Sequence, residues 1–241
     1  MSDECGASVS RIGSSALVAA LLLAGCGEFP RDANGTLEEV RAGRPLRIGW
    51  SASEPWVRGG PDGPAGPEAD LVRAWAESIG ARIEWAEASE AQIVEALGVN
   101  VVDVGLAGFT TDAPWGARIG QTQPYLKSHL GIGVRDGVAV PDSWKGVEVR
   151  YDRHRPQVAG ALRGIGAAPV PAKPGDLGPI GAAYEEELVR AGLRPTEKRL
   201  ASESRVIATA PAENALAFAL DRFVHGREAF VRERLVREGP R

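Results

Sequence analysis

Between residues 46 and 106 the hydrophobic pattern switches between strand and helix period, and that alternation confines the chain to a layered α/β arrangement. LRIGW, residues 46–50, is a short apolar run that fits a buried strand. From Glu68 onward, Leu71, Val72, Trp75, Ala76 and Ile79 recur at spacings of three and four, and Gly80 is placed to end the helix they imply. ARIEWA then alternates, with Ile83 and Trp85 on one side. Ser89 is placed to cap a second helix with Ile93, Val94 and Leu97 inward, and VVDVGLAG supplies a third buried strand. This order predicts a parallel sheet with helices on its faces, and such sheets bind ligands beyond the carboxyl ends of their strands. The loops after Trp50 and Leu106 are therefore where a site is expected.

The segment SASEPWVRGGPDGPAGPE sustains neither helix nor ladder, so it is expected as a loop or hairpin. LGIGVR, residues 130–135, is another strand, and a second alternating series follows. It comprises VEVRY, a helix near Gln157 to Leu162, APV, a strand ending at Tyr184, and a helix through EEELVRAG. VIATA, residues 206–210, reads as a strand, and Pro211 as the start of a helical stretch through Leu216, Ala217, Leu220 and Phe223. The run 227–237 has Phe230, Val231 and Leu235 inward and its arginines on an expected solvated face. Two similar α/β units predict two lobes: 45–132, then 133–204, with 205–241 returning to the first.

The amino terminus carries an address. Arg11 precedes an apolar stretch, Ile12 to Gly25, that ends in Leu23, Ala24, Gly25 and Cys26. About 14 residues is too short for a helix to cross a hydrocarbon core of about 30 Å, so residues 1–25 are expected to be an export signal. Small residues before a Cys at that place resemble the lipobox of bacterial lipoproteins, which implies a diacylglyceryl group on the Cys26 sulfur. Loss of residues 1–25 removes Cys5 and leaves only an alkylated Cys26, so neither a disulfide nor a cysteine metal site is expected. Residues 26–44 show no sustained period and are expected as a tether. The predicted place is the cell envelope, outside the cytoplasm and lipid-anchored. A formal charge of −4 without a basic face argues against nucleic acid as a partner.

LRIGWSASEPW, GPEADLVRAWAESIGARIEW, IVEALGVNVVDVGLAGFTT and QTQPYLKSHLGIGV resemble, in order and spacing, the first lobe of polar amino-acid-type extracellular solute-binding proteins, family 3, of the periplasmic binding protein type 2 fold. The likeness covers residues 46–135 well and continues more faintly through SWKGVEVRY and VIATAPAENALAFALDRFV. It implies an α/β fold of two lobes joined by a hinge, closing on a small-molecule ligand, a monomer with an ABC transporter permease as partner, and no cofactor. In the family an arginine after the strand-three loop clamps a ligand carboxylate. Counting from Thr110, that position is Trp115 here, with Arg118 three residues on. An aromatic position of the family falls near Glu90, and its Gly-Thr-Thr turn of lobe two appears as Asp152, Arg153, His154 and Arg155.

The candidate ligand-binding residues are therefore Glu54, Trp56, Glu90, Gly108, Thr110, Trp115, Arg118 and Arg155. Gly108 and Thr110 are expected to offer backbone N–H groups and a hydroxyl. Glu54, Glu68 and Glu90, with Trp56 and Trp115, are read as groups that surround a cation or amine, because aromatic faces attract cations and carboxylates neutralise them. His129, His154 and His225 are too far apart for a local metal motif and are expected on the surface or hinge. Two other functions stay open. One is a dehydratase-like enzyme on this scaffold with Glu90 or Glu54 as general acid, and the other is a sensor or accessory lipoprotein with a poor cleft.

Overall fold

The structure, a computed structural model, describes residues 30–237, so the expected leader and Cys26 lie outside the described residues. Lobe one opens with a helix inside the stretch expected as a tether, α1 (Thr36–Arg41). Six residues are too few to show a hydrophobic period and too few to be helical alone, so tertiary contacts must hold the helix. Leu37 and Val40 are buried in the lobe-one core. At its amino end, the Asp32 carboxylate accepts from the Leu37 N–H at 2.7 Å, and Glu213 accepts from the Asn34 N–H at 3.0 Å and the Thr36 N–H at 3.3 Å.

The alternating series folds as expected. It runs through β1 (Leu46–Trp50), a hairpin of β2 (Arg58–Gly60) and β3 (Gly63–Ala65), α2 (Pro67–Ser78), β4 (Ile83–Glu87), α3 (Glu90–Gly98) and β5 (Val104–Leu106). Strands β1, β4 and β5 are parallel, with Leu46 opposite Ile83 and Ile48 opposite Val104. Trp75, Leu46, Ile48, Leu71 and Leu106 are fully buried, each stabilising by about 1.5–3 kcal/mol relative to exposure. Ser89 does cap α3: its hydroxyl accepts from the Gln92 N–H while Gln92 accepts from the Ser89 N–H. The turn into α2 needs Gly66, at φ 112°, because a Cβ there would lie 2.6 Å from the Trp56 carbonyl.

After β6 (Gly120–Gln121) the chain crosses along β7 (Leu126–Arg135) into lobe two. That lobe contains β8 (Glu148–Asp152), α4 (Pro156–Gly164), β9 (Ala168–Ala172), β10 (Ile180–Tyr184) and α5 (Glu185–Arg190). The chain returns along β11 (Leu193–Arg205), then β12 (Ala208–Thr209), α6 (Asn214–Val224) and α7 (Glu228–Arg237). One sheet has the order β4-β1-β5-β12-β6 and the other β11-β7-β10-β8-β9. The long strands β7 and β11 pair antiparallel, from Leu126 opposite Arg205 to Arg135 opposite Leu193, and form the connection between lobes.

Five further features differ from expectation. β7 begins at Leu126 rather than 130, and β11 lies in RPTEKRLASES, whose half-exposed face carries little apolar signal. Of VIATA only Ala208 and Thr209 form ladder pairs, and α6 starts at Asn214 rather than at Pro211. Nor are the arginines of α7 all solvated. Arg232 pairs with the buried Glu186 of α5 at 2.5 Å, and Arg234 with Asp70 of α2 at 3.0 Å. With Val231 and Leu235 buried in the lobe-one core, and Arg190 of α5 donating to the Leu235 carbonyl at 2.8 Å, α7 touches both lobes.

Candidate functional site

The loops after β1 and β5 meet the hinge strands and lobe two at one place, and the side chain at its centre is Arg205, the last residue of β11. Its Nη1 donates to the Gly108 carbonyl at 2.6 Å and its Nη2 to the Glu203 carboxylate. The guanidinium carbon lies 4.5 Å from the Trp56 ring centroid and 5.6 Å from that of Tyr184, so it joins lobe one to lobe two. Arg205 is 7% exposed, and its Nε is buried without a partner. Residues two apart on a strand project to the same side, which is why Glu203 can neutralise it.

Trp56, 3% exposed, is brought to the guanidinium by a tight turn in which the Ser53 N–H donates to the Val57 carbonyl at 2.8 Å. Gly108 has φ 66°, and a Cβ there would lie 2.6 Å from the Ser53 hydroxyl and 2.9 Å from the Trp56 ring. The N–H of Gly108, expected to face a ligand, instead donates to Glu68 at 3.1 Å. Both polar groups of Gly108 are thus taken up by the protein. Thr110 is half-buried and forms a bridge with Arg205, which keeps its loop on the hinge strand.

Glu68 is not part of an open ring of carboxylates. It is 1% exposed at the start of α2 and also accepts from the Tyr125 hydroxyl at 2.5 Å. Burial raises its pKa to about 6, against the lowering effect of Tyr125, the Gly108 amide and Arg205. Burial, with the Glu68 charge, likewise holds the Tyr125 hydroxyl well above its ordinary value, so Tyr125 is the donor.

The other expected residues fall into separate groups. Glu90, Trp115 and Arg118 come together at the exposed rim: the Trp115 indole N–H donates to Glu90 at 2.5 Å, and the Arg118 guanidinium lies 5.8 Å from the Trp115 ring. Glu54 is exposed at the β1 loop. Glu54, Glu68 and Glu90 therefore have different surroundings, and the cation over Trp56 is the chain's own Arg205. In lobe two, Arg155 forms a double hydrogen bond to Glu187 at 2.7 and 2.8 Å and lies 5.5 Å from the Tyr184 ring. Both Nη groups of this candidate ligand-binding residue are thus engaged by the protein's own carboxylate. Of the histidines, His154 and His225 are exposed and His129 lies on β7. Among the described residues no group of three or more His, Cys, Asp or Glu side chains is placed to hold a metal ion.

Arg205, Glu203, Tyr184 and Glu187 escape sequence reasoning. The one available signal is Glu203 and Arg205 at strand spacing directly before the apolar run VIATA, where a charge must be paired if it is buried.

No curated protein matches the chain. An ancestral cationic amino acid solute binding protein has a similar fold, with TM-score 0.67 at 16% identity over 85% of this chain and 99% of that one. It is also described as a precursor of cyclohexadienyl dehydratase. The L-cystine solute receptor of Neisseria gonorrhoeae in its unliganded open conformation gives TM-score 0.67 at 16% identity, covering 85% of this chain and 97% of the receptor. The GluR0 ligand binding core in complex with L-glutamate gives 0.55 at 18% identity over 81% of this chain and 98% of that core. Residues 46–229, from the first strand of lobe one into α7, match the family pattern itself, and the chain belongs to the bacterial extracellular solute-binding proteins, family 3.

Proposed function

We propose that this protein captures a small polar, amino-acid-like ligand between its lobes and delivers it to an ABC importer, held at the membrane by acyl chains on Cys26. The observation that carries this reading is the pair of long antiparallel strands, β7 and β11, which alone among the described strands run between two α/β lobes, one carrying Trp56 and Gly108 on its loops and the other Tyr184 at the end of β10. A two-strand connection bends at low cost, so ligand contacts made by both loops favour the closed arrangement. Transport needs no reacting group, and Glu68, a fully buried carboxylate with a raised pKa beside this region, is enclosed by Tyr125 and Gly108 rather than presented to a ligand.

A dehydratase-like enzyme with Glu54 or Glu90 as general acid is the second reading, favoured by the likeness of fold to an ancestral protein described as a precursor of cyclohexadienyl dehydratase. One experiment separates the two. Amino acids and amines are added singly to the protein, melting temperature is followed, and each mixture is analysed by mass spectrometry after incubation. Stabilisation with the solute unchanged supports capture, and conversion of any stabilising solute overturns it in favour of catalysis. The anchor has its own test: a clickable fatty acid is expected to label the wild-type protein in the membrane fraction and to leave Cys26→Ser unlabelled. Equal labelling of both would remove Cys26 from the proposal.

A further inference from the structure

We propose that Arg205 is a built-in occupant of the cleft: its guanidinium fills the aromatic box that a cationic solute head would fill, and so excludes cations from that place. This deepens the capture reading and rests on it, because it states which ligands the cleft refuses.

The surroundings of the Arg205 guanidinium are those of a cation receptor. There is an aromatic face on the lobe-one side, Trp56 at 4.5 Å, and another on the lobe-two side, Tyr184 at 5.6 Å. There is a carbonyl acceptor, Gly108 at 2.6 Å, and a carboxylate, Glu203. A second carboxylate, Glu68, lies close enough for its charge to feel Arg205. Such a set binds a desolvated guanidinium well, by cation–π attraction and charge-assisted hydrogen bonds. Here the guanidinium is covalently supplied, so no solute must lose its freedom to occupy the box.

The fit is that of an occupant rather than of a clamp. A clamp turns its two Nη groups toward the ligand, whereas both Nη groups of Arg205 are used on the protein and its Nε is buried without a partner. Arg155 lies 5.5 Å from the same Tyr184 ring and is matched by Glu187, so that ring already carries a second guanidinium with its own carboxylate.

The test removes the occupant. Arg205→Ala leaves an empty box whose missing piece is guanidinium ion, with urea as a neutral probe of similar shape. Low-millimolar guanidinium chloride is titrated into wild type and into Arg205→Ala, with tryptophan fluorescence and melting temperature as readouts. The expected result is saturable binding in the variant, at least about tenfold tighter than in wild type, raising its melting temperature where urea at the same concentration does not. The proposal is overturned if folded Arg205→Ala binds guanidinium no better than wild type. It is also overturned if wild type binds guanidinium or L-arginine saturably and Trp56→Phe abolishes that binding. Should Arg205→Ala not fold, Arg205→Met keeps the stem and takes its place, and the wild-type titration decides by itself. Failure of the capture reading looks different: no solute, neutral or acidic, stabilises wild type, whatever guanidinium does to the variant.

Discussion

Glu68 concentrates the energetics of the site in one carboxyl. Its pKa is raised from 4.5 to about 6 in the folded protein, so between those values the folded state holds a proton that the unfolded state has released. Stability is therefore highest below about pH 4.5 for this group and falls as pH rises toward 6, by about 2 kcal/mol in all. Asp103 has the opposite sign. Burial pushes its carboxyl up, but hydrogen bonds from Arg47 and Arg44 outweigh that and hold it below the ordinary carboxylate range, so its contribution is lost as pH falls. Urea midpoints taken from pH 4 to pH 7 are expected to contain a declining component in wild type that Glu68→Gln lacks. Parallel curves for the two proteins would show that Glu68 titrates normally. Glu68 also shows why the expected carboxylate ring does not exist: its sequence position at a helix start says exposed, and only the fold supplies Tyr125 and Gly108 to make burial tolerable.

Among the elements, those with a strong period were legible and those held by distant partners were not. Leu71, Val72 and Trp75 announce α2 because three- and four-residue spacing persists over several turns, and Ser89 announces α3 because its cap is local. No sustained period announces α1, whose amino end depends not only on the nearby Asp32 but on Glu213, 177 residues from Thr36. Replacing Glu213 by Ala orphans the Asn34 and Thr36 amides and is expected to cost about 1–2 kcal/mol, with Glu213→Gln milder. Hydrogen exchange locates the effect: amides of α1 should lose protection in Glu213→Ala while those of β1 and β5 keep it. Uniform loss across lobe one would mean that α1 is not a separate unit. β11 was illegible for another reason. It is an edge strand with alternate residues in solvent, so polar RPTEKRLASES is what such a strand requires. The candidate site residues Glu203 and Arg205 sit on that strand, so the local sequence hides them with it.

For the molecule as a whole, the relation between the lobes is governed by α7 as much as by the hinge strands. Arg232 reaches the buried Glu186 of lobe two, and also the Lys127 carbonyl at 2.9 Å, from a helix whose apolar side is sunk in lobe one. Removing Arg232 leaves Glu186 without its cation, so Arg232→Ala is expected to lose about 1–3 kcal/mol, and Glu186→Gln in that background to restore most of it. Small-angle scattering should show Arg232→Ala with a larger radius of gyration than wild type, because a bridge between lobes is gone. An unchanged radius with unchanged stability would reduce the pair to a surface contact.

The route by which the backbone joins lobe one has a mechanical consequence. Arg44, three residues after α1, is bonded to Asp103, which immediately precedes β5, so α1 leads into the sheet at the amino-terminal margin of the parallel strands. Trp56 and Gly108 follow the opposite margin, about 15 Å away along a five-residue strand. A pull applied at α1 is thus taken up at the margin of the sheet opposite Trp56 and Gly108, and the loops around Arg205 lie at the unloaded end of the strands.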